Sequence, residues 1–256
     1  MFWLLRLVLA GVLIMARGAP DDSNVKVGKD LYRLDDLAEL AVRLGSIVNY
    51  NRYGSVLMLD GFEEGMNGWN RNLTGVGSEV EVSDEKAYNG QVSLKVISGT
   101  GGTPYAGFDK YLPPVGECRM GLQTTFSIDL NVNTVLFQLT YGRDPGRWYF
   151  MVVYDHVTGE LQYQPAPGVY TAFATPGKLY DGSNNFHNLK MVVDLTTGEH
   201  VRCYLDNVAY DMTGLIPNTG AWALGPFLFP IIRVSGDGVG LGIAYFDNVI
   251  VTYNEF

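Results

Sequence analysis

The chain has 256 residues, 47% of them hydrophobic, and a formal net charge of −9 at pH 7. This length and composition suffice for one large domain that buries a substantial core. An acidic chain without a lysine- or arginine-rich run repels phosphate backbones, which argues against nucleic acid as a partner. The two cysteines, Cys118 and Cys203, belong to no Cys-x-x-Cys motif, and with only three histidines they argue against a zinc site.

Residues 1–18 form an apolar leader. Its first 15 residues carry one charge, Arg6, and are too few to span a bilayer, which requires ~20 apolar residues. The run has the length of a signal-peptide hydrophobic region, and residues 16–18 (Ala-Arg-Gly) suit a cleavage site. Two other interpretations stay open, a retained helix and a true start at Met15. Cleavage would leave a protein without a stable membrane span. We would then expect a secreted, cell-surface or virion location.

Residues 19–55 are predicted to form an N-terminal arm and one helix. The first part is polar and predicts an extended arm, whereas Leu37, Leu40 and Leu44 have the spacing of one helical face. A three-turn helix is marginal by itself, so this face must dock on another surface. Docking on its own chain favours a stand-alone module. Docking on a neighbouring subunit would make residues 19–50 the contact of a homo-oligomer.

Residues 56–256 alternate short β-type runs with turn residues, after a hairpin predicted over 46–60. In 121–130, for example, the side chains of Leu122, Thr124 and Phe126 share one face. About a dozen such runs, without another helix of similar strength, predict a mainly β domain with two antiparallel sheets, a jelly-roll β-sandwich. The predicted strands are 79–82, 92–97, 105–111, 121–130, 134–141, 147–155, 160–164, 187–194, 200–205, 208–210, 227–235 and 240–253.

Three segments carry a resemblance to a known class of proteins. The opening segment 60–63 (Asp-Gly-Phe-Glu) is followed by Gly68 and Trp69, the runs 186–194 and 201–207 form a hairpin, and 246–249 (Phe-Asp-Asn-Val) closes the chain. Together they resemble concanavalin A-like lectins and carbohydrate-binding modules over about residues 56–256. The resemblance implies the sandwich fold and a buried Trp69. It implies little about the ligand, because this fold carries many unrelated functions.

The resemblance also implies a metal site. Several families of such modules hold a structural calcium ion between their first and last strands, which would place ligands at Asp60 or Glu63 together with Asp247 and backbone carbonyls. Oxygen ligands of this kind suit Ca²⁺. The alternative is that these acids cap turns by accepting backbone N–H groups, as Asp does at strand ends.

Sugar binding requires aromatic rings that stack on the sugar, with polar side chains that bind its hydroxyl groups. Alternation in the run 147–154 places Trp148 on one face of a strand and Tyr149 on the other, and one of these faces must be core. The other face is a candidate aromatic surface, although all these rings could equally be core or ordinary surface residues. The candidate ligand-binding residues are Tyr105, Trp148, Tyr149, Tyr163, Tyr170 and Trp222.

Catalysis is not predicted. A glycosidase needs two carboxylates on either side of the scissile bond. The nearest acidic run, 79–85, departs from the order of the sandwich-fold glucanases, and the acids at 194, 206 and 211 suit turns. The sequence therefore predicts a non-catalytic carbohydrate-binding or adhesion module outside the cytoplasm. The alternative is a structural subunit of a cell-surface assembly or virion that uses its N-terminal arm, and a glycoside hydrolase or lyase comes third.

Overall fold

The computed structural model describes residues 54–181 and 185–256. Within these ranges the protein consists of strands, and no helix there could cross a membrane. The predicted leader, arm and helix lie outside the described residues. The sixteen strands are β1 (Ser55–Asp60), β2 (Asn70–Val76), β3 (Glu79–Ser83), β4 (Ser93–Ser98), β5 (Thr100–Asp109), β6 (Arg119–Leu130), β7 (Val132–Arg143), β8 (Gly146–Asp155), β9 (Glu160–Ala166), β10 (Val169–Ala174), β11 (His187–Asp194), β12 (Glu199–Leu205), β13 (Val208–Asp211), β14 (Asn218–Ala221), β15 (Phe227–Gly236) and β16 (Gly242–Tyr253).

The strands form two antiparallel sheets. Sheet A has the order β13-β12-β11-β6-β16-β4-β3, with β1 beside β16. Sheet B has the order β10-β9-β8-β7-β15-β5-β2, with β14 beside β8. The predicted two-sheet antiparallel sandwich is therefore confirmed. The first and last strands of the domain are neighbours, because Asp60 pairs with Val249.

Alternation along each strand builds the core between the sheets. In β7 the inward residues Phe137 and Leu139 are fully buried, and Phe137 meets Phe126 of sheet A with ring centroids 5.3 Å apart. A second contact joins Phe108 of sheet B to Phe246 of sheet A at 5.6 Å. Each fully buried side chain of this size contributes roughly 1.5–3 kcal/mol. These contacts hold the two sheets face to face.

Trp69 belongs to this core, as the resemblance implies. Its side chain is 7% exposed and packs against Phe62 and Phe108. The indole N–H donates a hydrogen bond of 2.8 Å to the Asp60 carboxylate. The predicted burial of Trp69 is confirmed.

The strands that the sequence does not predict are β2, β10 and β14. Most residues of β2 and β10 are exposed, and these strands lie at the two edges of sheet B. Strand β14 has only four residues (Asn-Thr-Gly-Ala). An exposed edge strand needs no apolar face, so hydrophobic alternation cannot reveal it. Of the predicted hairpin 46–60, the second half is β1, and the first half lies outside the described residues.

His200 joins the two sheets beside β14. Strand β9 pairs with residues 152–155 of β8, and β14 pairs with residues 146–149 on the same side. Between them, Met151 donates its backbone N–H to His200 Nε2 at 3.2 Å. His200 Nδ1 lies 2.9 Å from the Leu215 carbonyl oxygen, so Nδ1 must carry the proton. The histidine thereby occupies the gap between the two shorter strands.

Both cysteines are free thiols. Cys118 is half-buried, and Cys203 is buried in the core. Burial raises the pKa of the Cys203 thiol well above its ordinary value, because the low-dielectric interior disfavours the thiolate. Cys203 is therefore an inert core residue.

Candidate functional site

The outward surface of sheet B is the candidate site, and we call it the sheet B face. Cross-strand partners point to the same side of a sheet, so the register identifies its members. Thr140 lies opposite both Tyr149 and Phe229. Gln138 lies between Met151 and Ile231. The neighbours of these residues along each strand belong to the core, so the residues themselves face outward.

Polar side chains form the floor of the sheet B face. Gln138 and Thr140 are only 5% and 3% exposed although they point outward, which places them beneath neighbouring side chains. The Gln138 amide donates a hydrogen bond of 2.6 Å to the Thr140 hydroxyl. Beside them, Asn218 donates a bond of 3.4 Å to Gln164. The floor is therefore lined by amides whose hydrogen-bonding capacity is only partly used by the residues that the structure describes.

Aromatic rings gather at one end of the face. Tyr111 and Phe229 lie with ring centroids 4.2 Å apart, and Trp222 lies 4.5 Å from Phe227. Trp222 is fixed by its indole N–H, which donates to the Gly225 carbonyl at 3.0 Å. Tyr111 is exposed and the other three rings are half-buried, so they offer ring surface to a ligand.

Two arginines lie on the same face, each against a tyrosine. The guanidinium carbon of Arg147 is 4.9 Å from the ring centroid of Tyr149 and 5.6 Å from that of Trp222. The guanidinium carbon of Arg233 is 5.0 Å from the ring centroid of Tyr105. Cation–π stacking of this kind holds a guanidinium in place without neutralising its charge.

The sheet B face has few carboxylates, and Asp109, Asp155 and Glu160 accept hydrogen bonds from neighbouring residues. Asp109 is 6% exposed and accepts a hydrogen bond of 2.9 Å from the Asn70 amide. Asp155 and Glu160 are cross-strand partners at the β8–β9 turn, at one end of the face. Asp155 caps that turn by accepting two backbone N–H groups, and Glu160 accepts from the Gln162 amide. In the described strands, no two carboxylates face each other across the middle of the sheet B face.

The acids considered for catalysis from the sequence lie in or beside the strands of sheet A. Glu85 lies beyond β3 and binds Lys95 and the Tyr245 hydroxyl. Asp194 accepts the backbone N–H groups of residues 196 and 197, and Asp211 accepts that of residue 213. These acids have the turn-capping and pairing roles expected of ordinary strand-end acids.

The three predicted calcium ligands lie at the end of sheet A where β1 meets β16. The Asp60 carboxylate accepts the Phe62 backbone N–H at 3.0 Å as well as the indole N–H of Trp69. Glu63 Oε1 accepts the backbone N–H of Gln91 at 2.8 Å. Each carboxylate therefore acts as a cap in this structure, which is the alternative role that the sequence leaves open.

Asp247 is the most buried of the three. Its carboxylate accepts the backbone N–H groups of Tyr88 and Asn89, both at 2.9 Å, and that of Asn248 at 2.7 Å. Burial, with a smaller contribution from the nearby Glu63 charge, raises the pKa of Asp247 to about 6. Within the described ranges no group of three or more His, Cys, Asp or Glu residues could hold a metal ion. Calcium stays a prediction that titration must test.

The predicted sugar-binding residues divide between the two sides of sheet B. Tyr105 and Tyr149 lie on the sheet B face, and Trp222 lies beside it. Trp148 faces inward, packs against the core and stacks on Tyr141. Tyr163 lies opposite Val152 and also packs against the core, so these two residues are not on the sheet B face.

Alternation correctly separates Trp148 from Tyr149, whereas the choice of the outward side needs the packed structure. Tyr170 is exposed on the edge strand β10. Three residues of the face, Arg147, Arg233 and Gln138, are not predicted from the sequence. Their one local signal is a polar residue at an outward position of an otherwise apolar strand.

The chain matches no protein-family model and no curated protein. Its fold is similar to that of an endo-β-1,4-glucuronan lyase from the fungus Trichoderma reesei, with a TM-score of 0.55 and 12% identity over 78% of this chain and 96% of that one. The cellulose-induced protein Cip1 has a TM-score of 0.48 and 14% identity over 76% and 96% of the two chains.

The xylan-binding domain CBM22-1 of Paenibacillus barcinonensis Xyn10C has a TM-score of 0.40 and 15% identity over 81% and 99% of the two chains. At such low identity these similarities concern the fold alone. The similarity at a TM-score of 0.55 agrees with the two-sheet sandwich fold that the sequence predicts.

Proposed function

We propose that the protein is a non-catalytic carbohydrate-binding module whose ligand lies on the sheet B face. The observation that carries this proposal is the composition of that face, where aromatic rings such as Tyr149 and Phe229 stand beside the amides of Gln138 and Gln164. Aromatic rings stack on the apolar faces of sugars, and amides donate to and accept from their hydroxyl groups.

The recessed amides explain why a sugar would bind here in preference to an apolar molecule. Among the described residues, Gln138 forms one side-chain hydrogen bond, from its amide to Thr140, so its second donor and its carbonyl lone pairs remain for a ligand. Covering these groups with an apolar ligand would leave them unsatisfied, at a cost of about 1–3 kcal/mol each. Sugar hydroxyls would satisfy them. The face therefore selects for a polar ligand with apolar faces, which describes a glycan.

The positions of the carboxylates on the sheet B face support a non-catalytic role. Asp109 is nearly buried and bound to Asn70, and the pair Asp155 and Glu160 belongs to a turn at the end of the face. Hydrolysis of a glycosidic bond requires two carboxylates on either side of the bond. We propose that the module acts outside the cytoplasm, as the leader predicts. The alternative role in a surface assembly depends on residues 19–50 and stays a prediction outside the described residues.

The test is binding of the full-length protein to a broad glycan panel, followed by calorimetry with the best ligand. Tyr149→Ala and Phe229→Ala should each weaken binding by about tenfold, since an aromatic contact contributes on the order of 1 kcal/mol beyond its buried area. Tyr204→Ala is the matched control, because Tyr204 also lies beneath an arginine but on the outward side of sheet A. It should leave the affinity unchanged.

Two results would overturn the proposal. One is a folded protein, verified by circular dichroism, that binds no glycan on the panel. The other is a glycan whose affinity falls in Tyr204→Ala and not in the two sheet B variants. Incubation of the ligand with the protein, followed by measurement of reducing ends and of unsaturated products, should show no cleavage. Cleavage would replace the non-catalytic assignment with a hydrolase or lyase.

A further inference from the structure

We propose that the glycan is acidic and that Arg147 and Arg233 bind its carboxylates at the two ends of the sheet B face. This inference rests on the proposed function and names the chemical class of its ligand. Three observations on the two arginines carry it: they form no ion pair within residues 54–181 and 185–256, they lie flat against the sheet, and they are separated along it.

Among the described residues, the arginines other than Arg71 fall into two groups. Arg119, Arg143 and Arg202 each lie within 4 Å of a carboxylate, with Arg119 Nε 3.0 Å from that of Asp194. Arg147 and Arg233 form no ion pair with any residue of the described ranges. On a protein with a net charge of −9, carboxylates to neutralise them are plentiful. Two uncompensated cations on one face therefore mark that face as a place for an external anion.

A further arginine, Arg71, also lacks a carboxylate partner within the described ranges. It lies on β2 opposite Phe108, which is an inward position of sheet B. Arg71 therefore does not belong to the sheet B face. Of the described arginines without a carboxylate partner, only Arg147 and Arg233 share this face.

The side chain of each of the two arginines packs against a glycine on the neighbouring strand. Arg233 lies opposite Gly107, and a Cβ atom added to Gly107 would stand 2.5 Å from Arg233 Cγ. Arg147 lies opposite Gly220, where an added Cβ atom would stand 3.1 Å from Arg147 Nε. Such short distances show that both side chains lie close against the glycine backbone. Glycine at these two positions makes room for the arginine stems.

The same arrangement determines which atoms a ligand can reach. In both arginines Nε is buried and has no hydrogen-bond partner, and no terminal nitrogen of either residue is among the buried atoms that lack a partner. The guanidinium groups lie over Tyr149 and Tyr105, and both arginines are half-buried. A planar carboxylate matches the planar fork of a guanidinium and can accept two hydrogen bonds from it. The stacked tyrosine reduces the conformational entropy that such a contact would otherwise cost.

The separation of the two arginines indicates a chain rather than a single sugar. Arg233 lies opposite Leu136 and Arg147 lies opposite Gly142, on the two sides of β7. These positions are six residues apart along β7, which is about 20 Å at ~3.3 Å per residue. Gln138 and Thr140 lie between them on the same strand. A ligand that meets both arginines must therefore extend across the amide floor, as an oligosaccharide of several uronate residues would.

The experiment measures binding of hexasaccharides of galacturonic, mannuronic and glucuronic acid to the full-length protein by calorimetry. The same chains with their carboxyl groups reduced to alcohols serve as neutral counterparts, and a sulfated heparin hexasaccharide tests for charge alone. At least one uronate chain should bind about tenfold or more tightly than its reduced form, since hydrogen bonds to charged groups are among the strongest. Its affinity should also fall as salt is added.

Variants test whether the two arginines cause the preference for the acidic chain. Arg147→Gln and Arg233→Gln should each abolish most of the preference for the acidic over the reduced chain. Arg233→Lys should retain part of it, because lysine keeps the charge and loses the planar fork. Arg202→Gln is the matched control, since Arg202 lies over Tyr204 in sheet A and should leave the preference intact.

The possible failures are distinguishable. Equal affinity for acidic and reduced chains would overturn this inference and leave the proposed function standing. Preference for the sulfated chain alone would overturn the assignment to carboxylates. A preference for the uronate that persists in folded Arg147→Gln and Arg233→Gln proteins would overturn the role of the arginines. Absence of binding to these chains and to the neutral panel would overturn both proposals.

Discussion

Acidification should destabilise this protein through His200. The ring is 1% exposed, and burial lowers its pKa to about 4 from the ordinary 6.5. Its two hydrogen bonds also require the neutral form, because Nε2 accepts the Met151 N–H while Nδ1–H donates to Leu215. A proton on Nε2 would face the Met151 N–H and break that bond. The charged ring therefore has neither solvent nor an acceptor for its second proton at this position.

The magnitude follows from the difference between the two pKa values. Below pH 6.5 the unfolded chain binds a proton at His200, while the folded chain stays neutral until about pH 4. Stability from this group is therefore fully present above pH 6.5 and is lost as the pH falls toward 4. At 1.36 kcal/mol per pKa unit, the loss between pH 7 and pH 4 is about 3 kcal/mol.

Urea unfolding followed by tryptophan fluorescence, between pH 4 and pH 7, measures this loss. The wild type should lose about 3 kcal/mol relative to His200→Gln over this interval, because glutamine cannot be protonated. His156→Gln is the control, since His156 lies half-buried near Asp181, outside the core. It should follow the wild type. A difference between wild type and His200→Gln that stays constant with pH, or a ring that titrates near 6.5 by NMR, would refute this reasoning.

Two further predictions concern sheet A. Lys190 and Glu255 form a buried ion pair of 2.6 Å. Glu255→Gln removes the carboxylate of this pair, so it should lower the free energy of unfolding, measured with urea, by ~3–5 kcal/mol. If Asp60, Glu63 and Asp247 hold calcium, adding Ca²⁺ to chelator-treated protein should raise the thermal midpoint, by an amount equivalent to about 2.7 kcal/mol at 100 times the dissociation constant.

Each of these predictions has its own control. Glu64→Gln changes an exposed acid and should alter the free energy of unfolding by no more than about 0.5 kcal/mol. A Glu255→Gln protein as stable as Glu64→Gln would show that the pair is not needed. For calcium, Glu63→Gln should remove the increase in the thermal midpoint. Identical melting of the wild type with Ca²⁺ and with chelator would eliminate the metal site.

The local pattern of the sequence was enough to predict most of the strands and the fold class. Alternation in β6, β7 and β8 depends only on neighbouring residues, because successive side chains of a strand point to opposite sides. Exposed edge strands such as β2 were not predicted, because a strand without a buried face has no apolar period. The same alternation is sufficient to place Trp148 and Tyr149 on opposite sides of their strand.

Which of these two residues faces outward was decided only by the tertiary structure. Trp148 is inward because it packs on Tyr141 of the adjacent strand β7 and into the core between the sheets. Arg147 and Arg233 are 86 positions apart, and only the order β8-β7-β15 brings them onto one face. The sequence by itself determined the two sides of each strand. The choice of the outward side, and the residues that meet there, depend on long-range pairing that local periodicity does not encode.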